Sequence, residues 1–404
     1  MTVPARHIGR ASFRLLVGGM VTIGMGQSML FSILPPAARD IGITPFQVST
    51  IFATSASFWV FVSPWWGRQS DRWGRRPVIL IGLLGYALSM TMLATVIGAG
   101  RAGLLRAATV YPLLIASRCM FALLGSGTGP GAQAYVADRT TVADRGAAVA
   151  MLNAGMGLGE TVGPGVGAAL AAYGPTAPIY LAAALASLAG AVIWNRLPED
   201  GPPQRDVGAA RVRLRARDPR VAPFLAVGVV LQAVRATTVI TLALYLQDTL
   251  GLTIEETARH AGTGFVVLAV SGLFAQLVLI QRLRPSSRAM LRIGLPLMGI
   301  AFLLIALGHG FPLMLVALST LGVGIGLVRP GSAAAASVSV EPEEQGGVAG
   351  LLGGVTVIGN VFGPMLGTKL YQLTPTAPYL MNAALVAAVL PLVVWSKQVR
   401  ALRA

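Results

Sequence analysis

Three ionisable side chains in this sequence sit where few are tolerated. Arg118, Glu160 and Arg235 each fall inside a long apolar stretch. A charge at the centre of a bilayer costs about 2.5–3.5 kcal/mol on the insertion scale, so such a residue is a candidate for function. Glu160 is the carboxylate nearest the middle of an apolar segment. Burial raises a carboxyl pKa and a nearby arginine lowers it, so a carboxyl at that depth can exchange a proton if its surroundings change. At ~1.5 Å per residue, Arg118 and Glu160 lie roughly 15–17 Å below the same surface and are expected to pair. Two roles remain open for that pair: a static buried bridge, or a proton-coupling device. Two cations against one acid favour an anionic or zwitterionic ligand. Gln232, Arg235 and Thr238 share one helical face by spacing. Gln27, Asn153 and Asn360 are further polar candidates for binding or coupling, and Gln276, Phe31, Phe121 and Phe265 are candidate lining residues with helix packing as the simpler role.

Other chemistries find no support. There is one cysteine, Cys119, and the histidines His7, His260 and His309 are scattered, so no metal site is expected. Residues 125–131 are glycine-rich but lack the lysine and the strand–loop–helix setting of a phosphate loop, and close helix packing explains them. No Ser/His/Asp constellation appears, and the chain is not expected to be an enzyme. No cofactor is expected.

The elements that must carry these residues are apolar helices. Of 404 residues, 54% are apolar and 11% are charged; soluble proteins carry roughly 25% charged residues. Twelve segments approach bilayer length: 14–38, 46–66, 77–98, 108–135, 146–171, 178–197, 220–247, 255–281, 289–308, 311–333, 346–370 and 376–396. None alternates with period two, which excludes a membrane barrel. The N-terminus runs into the first segment without a small-residue cleavage site, so that segment is expected to be retained. Thr44-Pro45-Phe46-Gln47 and Thr253-Ile254-Glu255-Glu256 have the capping-box pattern that opens a helix.

Those two starts lie 209 residues apart, and the spacing is part of a repeat. Gly159, Gly163, Pro164 and Gly167 recur 200 residues later as Gly359, Gly363, Pro364 and Gly367. Pro130-Gly131 recurs as Pro330-Gly331, and residues 175–178 recur as 375–378. The chain therefore divides into a six-helix bundle at 1–197, a polar, arginine-rich interdomain loop at 198–219, and a second six-helix bundle at 220–404. An offset of 209 sets Arg235 opposite Gly26, beside Gln27. The net charge of +16 alone would suggest nucleic acid, but position decides otherwise. With the N-terminus placed inside, 24 of the 31 Lys and Arg fall on the cytoplasmic side. This is the positive-inside rule, with both termini cytoplasmic and the basic loops facing anionic lipid. No nucleic-acid partner is expected.

Residues 67–76, Gly67-Arg68-Gln69-Ser70-Asp71-Arg72-Trp73-Gly74-Arg75-Arg76, join the second and third segments. They resemble the signature loop of the major facilitator superfamily. Gly159, Gly163, Pro164 and Gly167 are similar to the antiporter motif of its twelve-span drug:proton antiporters, and Arg118 with the glycines after it resembles a third motif of that group. Residues 134–139 resemble tetracycline-type exporters. The resemblance implies an all-α membrane protein of twelve transmembrane helices in two pseudo-symmetric bundles. It implies that the first, fourth, seventh and tenth helices line a central cavity, and that Gly67, Asp71, Arg72, Arg75 and Asp138 form a cytoplasmic latch between the halves. Here Gly67 is expected to allow close helix approach, and the Gly-Pro motifs are expected to meet across the half–half interface. The function implied is secondary transport: proton-coupled export of a small amphipathic or anionic compound, by a monomer in the bacterial inner (plasma) membrane. The alternative is uptake or facilitated diffusion of a small anionic metabolite. A proton gradient is the expected driving force.

Overall fold

The computed structural model describes residues 8–170, 173–199, 217–341 and 344–395. Residues 200–216 of the expected interdomain loop lie outside them. Helices occupy all twelve apolar segments, and there is no strand among the described residues. They are α1 Arg10–Asp40, α2 Pro45–Trp73, α3 Arg75–Arg101, α4 Ala107–Gly125, α5 Thr128–Ala137, α6 Val142–Leu170, α7 Ala177–Arg196, α8 Ala222–Leu250, α9 Ile254–Phe274, α10 Ile280–Leu283, α11 Ser287–Leu307, α12 Phe311–Val338, α13 Gln345–Tyr371 and α14 Ala377–Trp395. Among the described residues nine helical stretches are long and apolar enough to cross a membrane, and Ala377–Val393 is a shorter apolar one. The chain forms two compact units, Met1–Val207 with Ile254–Arg259, and Gly208–Thr253 with His260–Ala404.

Local signals explain several boundaries. Thr44 caps α2: its side chain accepts from the Gln47 N–H at 3.2 Å, and Gln47 accepts from the Thr44 N–H at 2.9 Å. Gly74, at φ 98°, is the single hinge residue between α2 and α3. The fourth segment is broken, since α4 stops at Gly125 and α5 begins at Thr128. The break frees the Leu123 carbonyl, which accepts from the Trp66 indole N–H instead. Trp66 fills the space beside Gly127, where a Cβ would lie 2.9 Å from its ring. The eighth segment is interrupted differently, by a π turn at Ala275–Leu279 between α9 and α10. That turn contains Gln276.

In the first unit α1 packs on α6 and α7, α3 on α4 and α7, and α2 on α4. In the second, α8 packs on α13 and α14, and α11 on α12 and α14. This arrangement corrects the expected place of the Gly-Pro motif. Gly159 and Gly163 of α6 lie on the backbone of α1, and a Cβ on Gly159 would fall 2.7 Å from the Met25 nitrogen. Gly167 faces Met29. Gly359, Gly363 and Gly367 of α13 meet Val229, Ala233 and Thr237 of α8 in the same way. Each motif joins two helices of its own unit, because a backbone carbonyl can approach only where no Cβ stands. Pro164 and Pro364 both lie within unbroken helices.

The same contacts correct the alignment of the halves. Val21, Met25 and Met29 correspond to Val229, Ala233 and Thr237, an offset of 208. Arg235 therefore matches Gln27, not Gly26.

Candidate substrate and coupling site

Arg118 is only 4% exposed on α4. Its Nη2 donates to Gln27 Oε1 of α1 at 3.3 Å. Its guanidinium carbon lies 5.3 Å from the Phe52 ring centroid and 5.1 Å from that of Phe121. Behind these rings stand Phe31, 4.6 Å from Phe52, and Trp59 and Tyr86, 5.2 and 4.9 Å from Phe121. The Nε and Nη1 atoms are buried without a hydrogen-bond partner. A cation–π contact is worth about 0.5–2 kcal/mol, whereas an unsatisfied buried donor costs about 1–3 kcal/mol and more when charged. Arg118 is thus an undercompensated cation inside an aromatic box.

The expected pair with Glu160 is absent: neither residue makes an ion pair among the described residues. Depth was matched, but direction was not. Arg118 sits on α4, which packs on α3 and α2, while α6 packs on α1. Gln27 of α1 meets the arginine instead. Glu160 remains half-buried on α6. Asn153, one of the polar candidates, is exposed and accepts from Gln133 Nε2 at 3.4 Å. Sequence reasoning missed Phe52, Trp59 and Tyr86. The spacing of Phe52 and Trp59, two helical turns apart on α2, was the available signal.

At the other end of the first unit, Arg75 holds two acids. Its Nη1 donates to Asp71 Oδ1 at 2.7 Å, its Nε to Asp138 Oδ2 at 2.9 Å, and Nη1 also to Ser70 Oγ at 3.1 Å. The arginine is 9% exposed. Asp71 and Asp138 thus converge on one residue and tie α2, α3 and α5 together. Arg72 is exposed. Gly67 does not serve a close approach: α2 runs through it to Trp73, and a Cβ there would meet open space.

In the second unit Gln232, Arg235 and Asn360 are half-buried, and Arg235 makes no ion pair among the described residues. The expected shared face divides. Gln232 presses its Cβ towards Gly359. Thr238 is 2% exposed and accepts from Asn382 Nδ2 at 3.4 Å. Before α8, Arg220 bridges Asp218 and Glu344, with Nη1 to Glu344 Oε2 and Nη2 to Asp218 Oδ2 both at 2.8 Å. Hydrogen bonds from Arg220 hold both carboxyls below the usual range.

A sequence model of the Major Facilitator Superfamily matches residues 16–285 and 278–401. The chain belongs to this superfamily. Among major facilitators it is 27% identical to Multidrug resistance protein 1 of Bacillus subtilis, over 90% of this chain and 91% of that one. It is also 27% identical to Tetracycline resistance protein, class C, of Escherichia coli, over 93% and 95%. Among solved major-facilitator-like folds, the nucleoside transporter NupG aligns with TM-score 0.75 at 13% identity, covering 96% of this chain and 99% of that one. A bacterial homologue of the human lysosomal transporter Spinster, inward-facing and occupied, aligns at 0.68 and 16%, covering 99% and 94%. The resemblance to exporters read from residues 134–139 and 159–167 therefore extends over 90% or more of the chain. This major facilitator is a multi-pass membrane transporter for small molecules, homologous to drug and tetracycline efflux proteins, and not an enzyme.

Proposed function

We propose that the protein exports small amphipathic or anionic compounds by proton antiport, through alternating access of two six-helix bundles. It does so as a monomer in the bacterial inner membrane, with both termini cytoplasmic. The observation that carries the export reading is the likeness to a multidrug resistance protein over 90% of the chain. Arg118 supports the anionic side of the reading, because no carboxylate neutralises it among the described residues. Glu160 is the proton-exchange candidate, since it is half-buried and free of an ion pair there. Asp71, Arg75 and Asp138 are the first unit's side of the cytoplasmic latch, where Arg75 holds both acids in place.

The test uses everted membrane vesicles with an acid interior. The protein is expected to drive an aromatic carboxylate or dye into the vesicles against its gradient, and a protonophore is expected to abolish this. Accumulation that only follows the solute's own gradient would favour facilitated diffusion, and movement in the opposite direction would favour uptake. Glu160→Gln is expected to remove the pH dependence, and an unchanged dependence would dismiss Glu160 as the proton site.

A further inference from the structure

We propose that Arg118 and the aromatic side chains around it form a subsite for the carboxylate of a planar aromatic acid. The proposal rests on the transporter reading and names the substrate class at one of its residues. The two rings of Phe52 and Phe121 occupy the surroundings of the guanidinium at 5.3 and 5.1 Å. What lacks partners is its hydrogen-bonding edge, which is itself buried. Gln27 offers a single amide oxygen, at the long distance of 3.3 Å, to Nη2. The adjoining Nε, which shares that edge, has no partner, and neither has Nη1. One oxygen stands where that edge of the guanidinium can donate to two. A carboxylate in the place of the Gln27 amide would engage Nη2 and Nε in parallel, the bidentate geometry in which arginine binds carboxylates best. It would also neutralise a charge that no protein group neutralises among the described residues.

The walls specify the rest of the ligand. Phe31 packs at a tilt on Phe52 and Trp59 at a tilt on Phe121, so the aromatic surface around the cation is broader than one ring. Such a surface favours a planar apolar body. A neutral ligand of the same shape would leave the guanidinium uncompensated, and a cation would be repelled. Gln27 holds the arginine when the subsite is empty and yields its place when an acid enters.

The experiment compares 1-naphthoate with its neutral isostere 1-naphthamide on the full-length protein in nanodiscs, by calorimetry and by thermal shift. The naphthoate is expected to bind and to raise Tm, with the amide at least about tenfold weaker. Equal binding of acid and amide would overturn the proposal. Arg118→Gln is expected to erase the preference; retained naphthoate binding in a folded Arg118→Gln protein would overturn it. If that variant does not fold, Gln27→Glu decides. It tethers a carboxylate against Arg118 and is expected to fold and to block naphthoate, and undiminished binding would contradict the subsite. Proton-driven accumulation of fluorescein, an anionic dye, in everted vesicles separates the two readings. Accumulation without acid–amide discrimination would sink the subsite and leave export standing. Discrimination without proton-driven accumulation would support the subsite and sink export.

Discussion

The two units share a backbone plan but place their polar groups differently. The glycine contacts set the register: Gln27 matches Arg235, while Arg118 matches Leu318 and Glu160 matches Asn360. The first unit keeps its buried cation on the fourth segment, in an aromatic box, with an amide opposite. The second has a fully buried leucine there and carries its cation on α8, half-buried. Helix shape follows the same division. The fourth segment breaks around Gly127 against Trp66, whereas its counterpart α12 is continuous from Phe311 to Val338. Positive φ at Gly74 and at Arg284 marks equivalent turns, 210 residues apart. The offset grows by one along this stretch because the π turn at Ala275–Leu279 adds a residue without ending the helix. At that turn the second unit has Gln281 for Asp71, Pro285 for Arg75 and Val338 for Asp138, so the three-residue bridge belongs to the first unit alone. Repetition has preserved the close helix contacts, where geometry leaves no choice, and has let the chemistry diverge.

Substitutions can break this asymmetry. The largest effect is expected from Leu318→Arg, which puts a cation where Leu318 Cδ1 already lies 2.7 Å from the place of a Gly264 Cβ. A loss of about 2.5–3.5 kcal/mol is expected from the charge alone, read as a fall in yield and Tm. Arg118→Leu, the reverse exchange, is expected to stay folded. Next comes Arg75→Met, which removes the cation that Asp71 and Asp138 share. About 2 kcal/mol is expected, below the full cost of breaking a buried bridge because Asp138 is 34% exposed. Gln281→Ala in the second unit should change Tm little. Smaller again, Gly163→Ala and Gly363→Ala are expected to cost alike, about 1 kcal/mol or somewhat more, because each Cβ meets a carbonyl of its partner helix. Unequal losses would mean that the two interfaces are not equivalent.

The smallest effect concerns the Arg220 clamp. Asp218 and Glu344 titrate below their ordinary values, so their contribution is present above about pH 4 and is lost as pH falls through the lowered values. The Tm difference between wild type and Arg220→Gln should stay constant from pH 8 to about 5 and shrink only in stronger acid. A difference that changes near pH 6 would contradict the assignment.

Much of this was legible in the sequence because it was periodic. Segment positions, the Thr44 cap and the repeat all follow from spacing along one helix or between copies. What was not legible required knowing which helices touch. Equal depth suggested an Arg118–Glu160 bridge, but depth carries no information on direction, and α6 turns towards α1. The Gly-Pro motif announced close packing without naming its partner helix. Phe52, Trp59 and Tyr86 come from α2 and α3, and the spacing that puts Phe52 and Trp59 on one face does not say that Arg118 lies against it.

The central claim is that Arg118 and Glu160 act apart, the first as an undercompensated cation and the second as a separate acid. A double-mutant cycle on Arg118→Gln and Glu160→Gln, read in thermal stability, tests this most directly. The two losses should add to within about 0.3–0.5 kcal/mol, as they do for residues that share no contact. A coupling energy well beyond that, with the double variant more stable than the sum of the singles allows, would show that the two charges pair and would contradict the account.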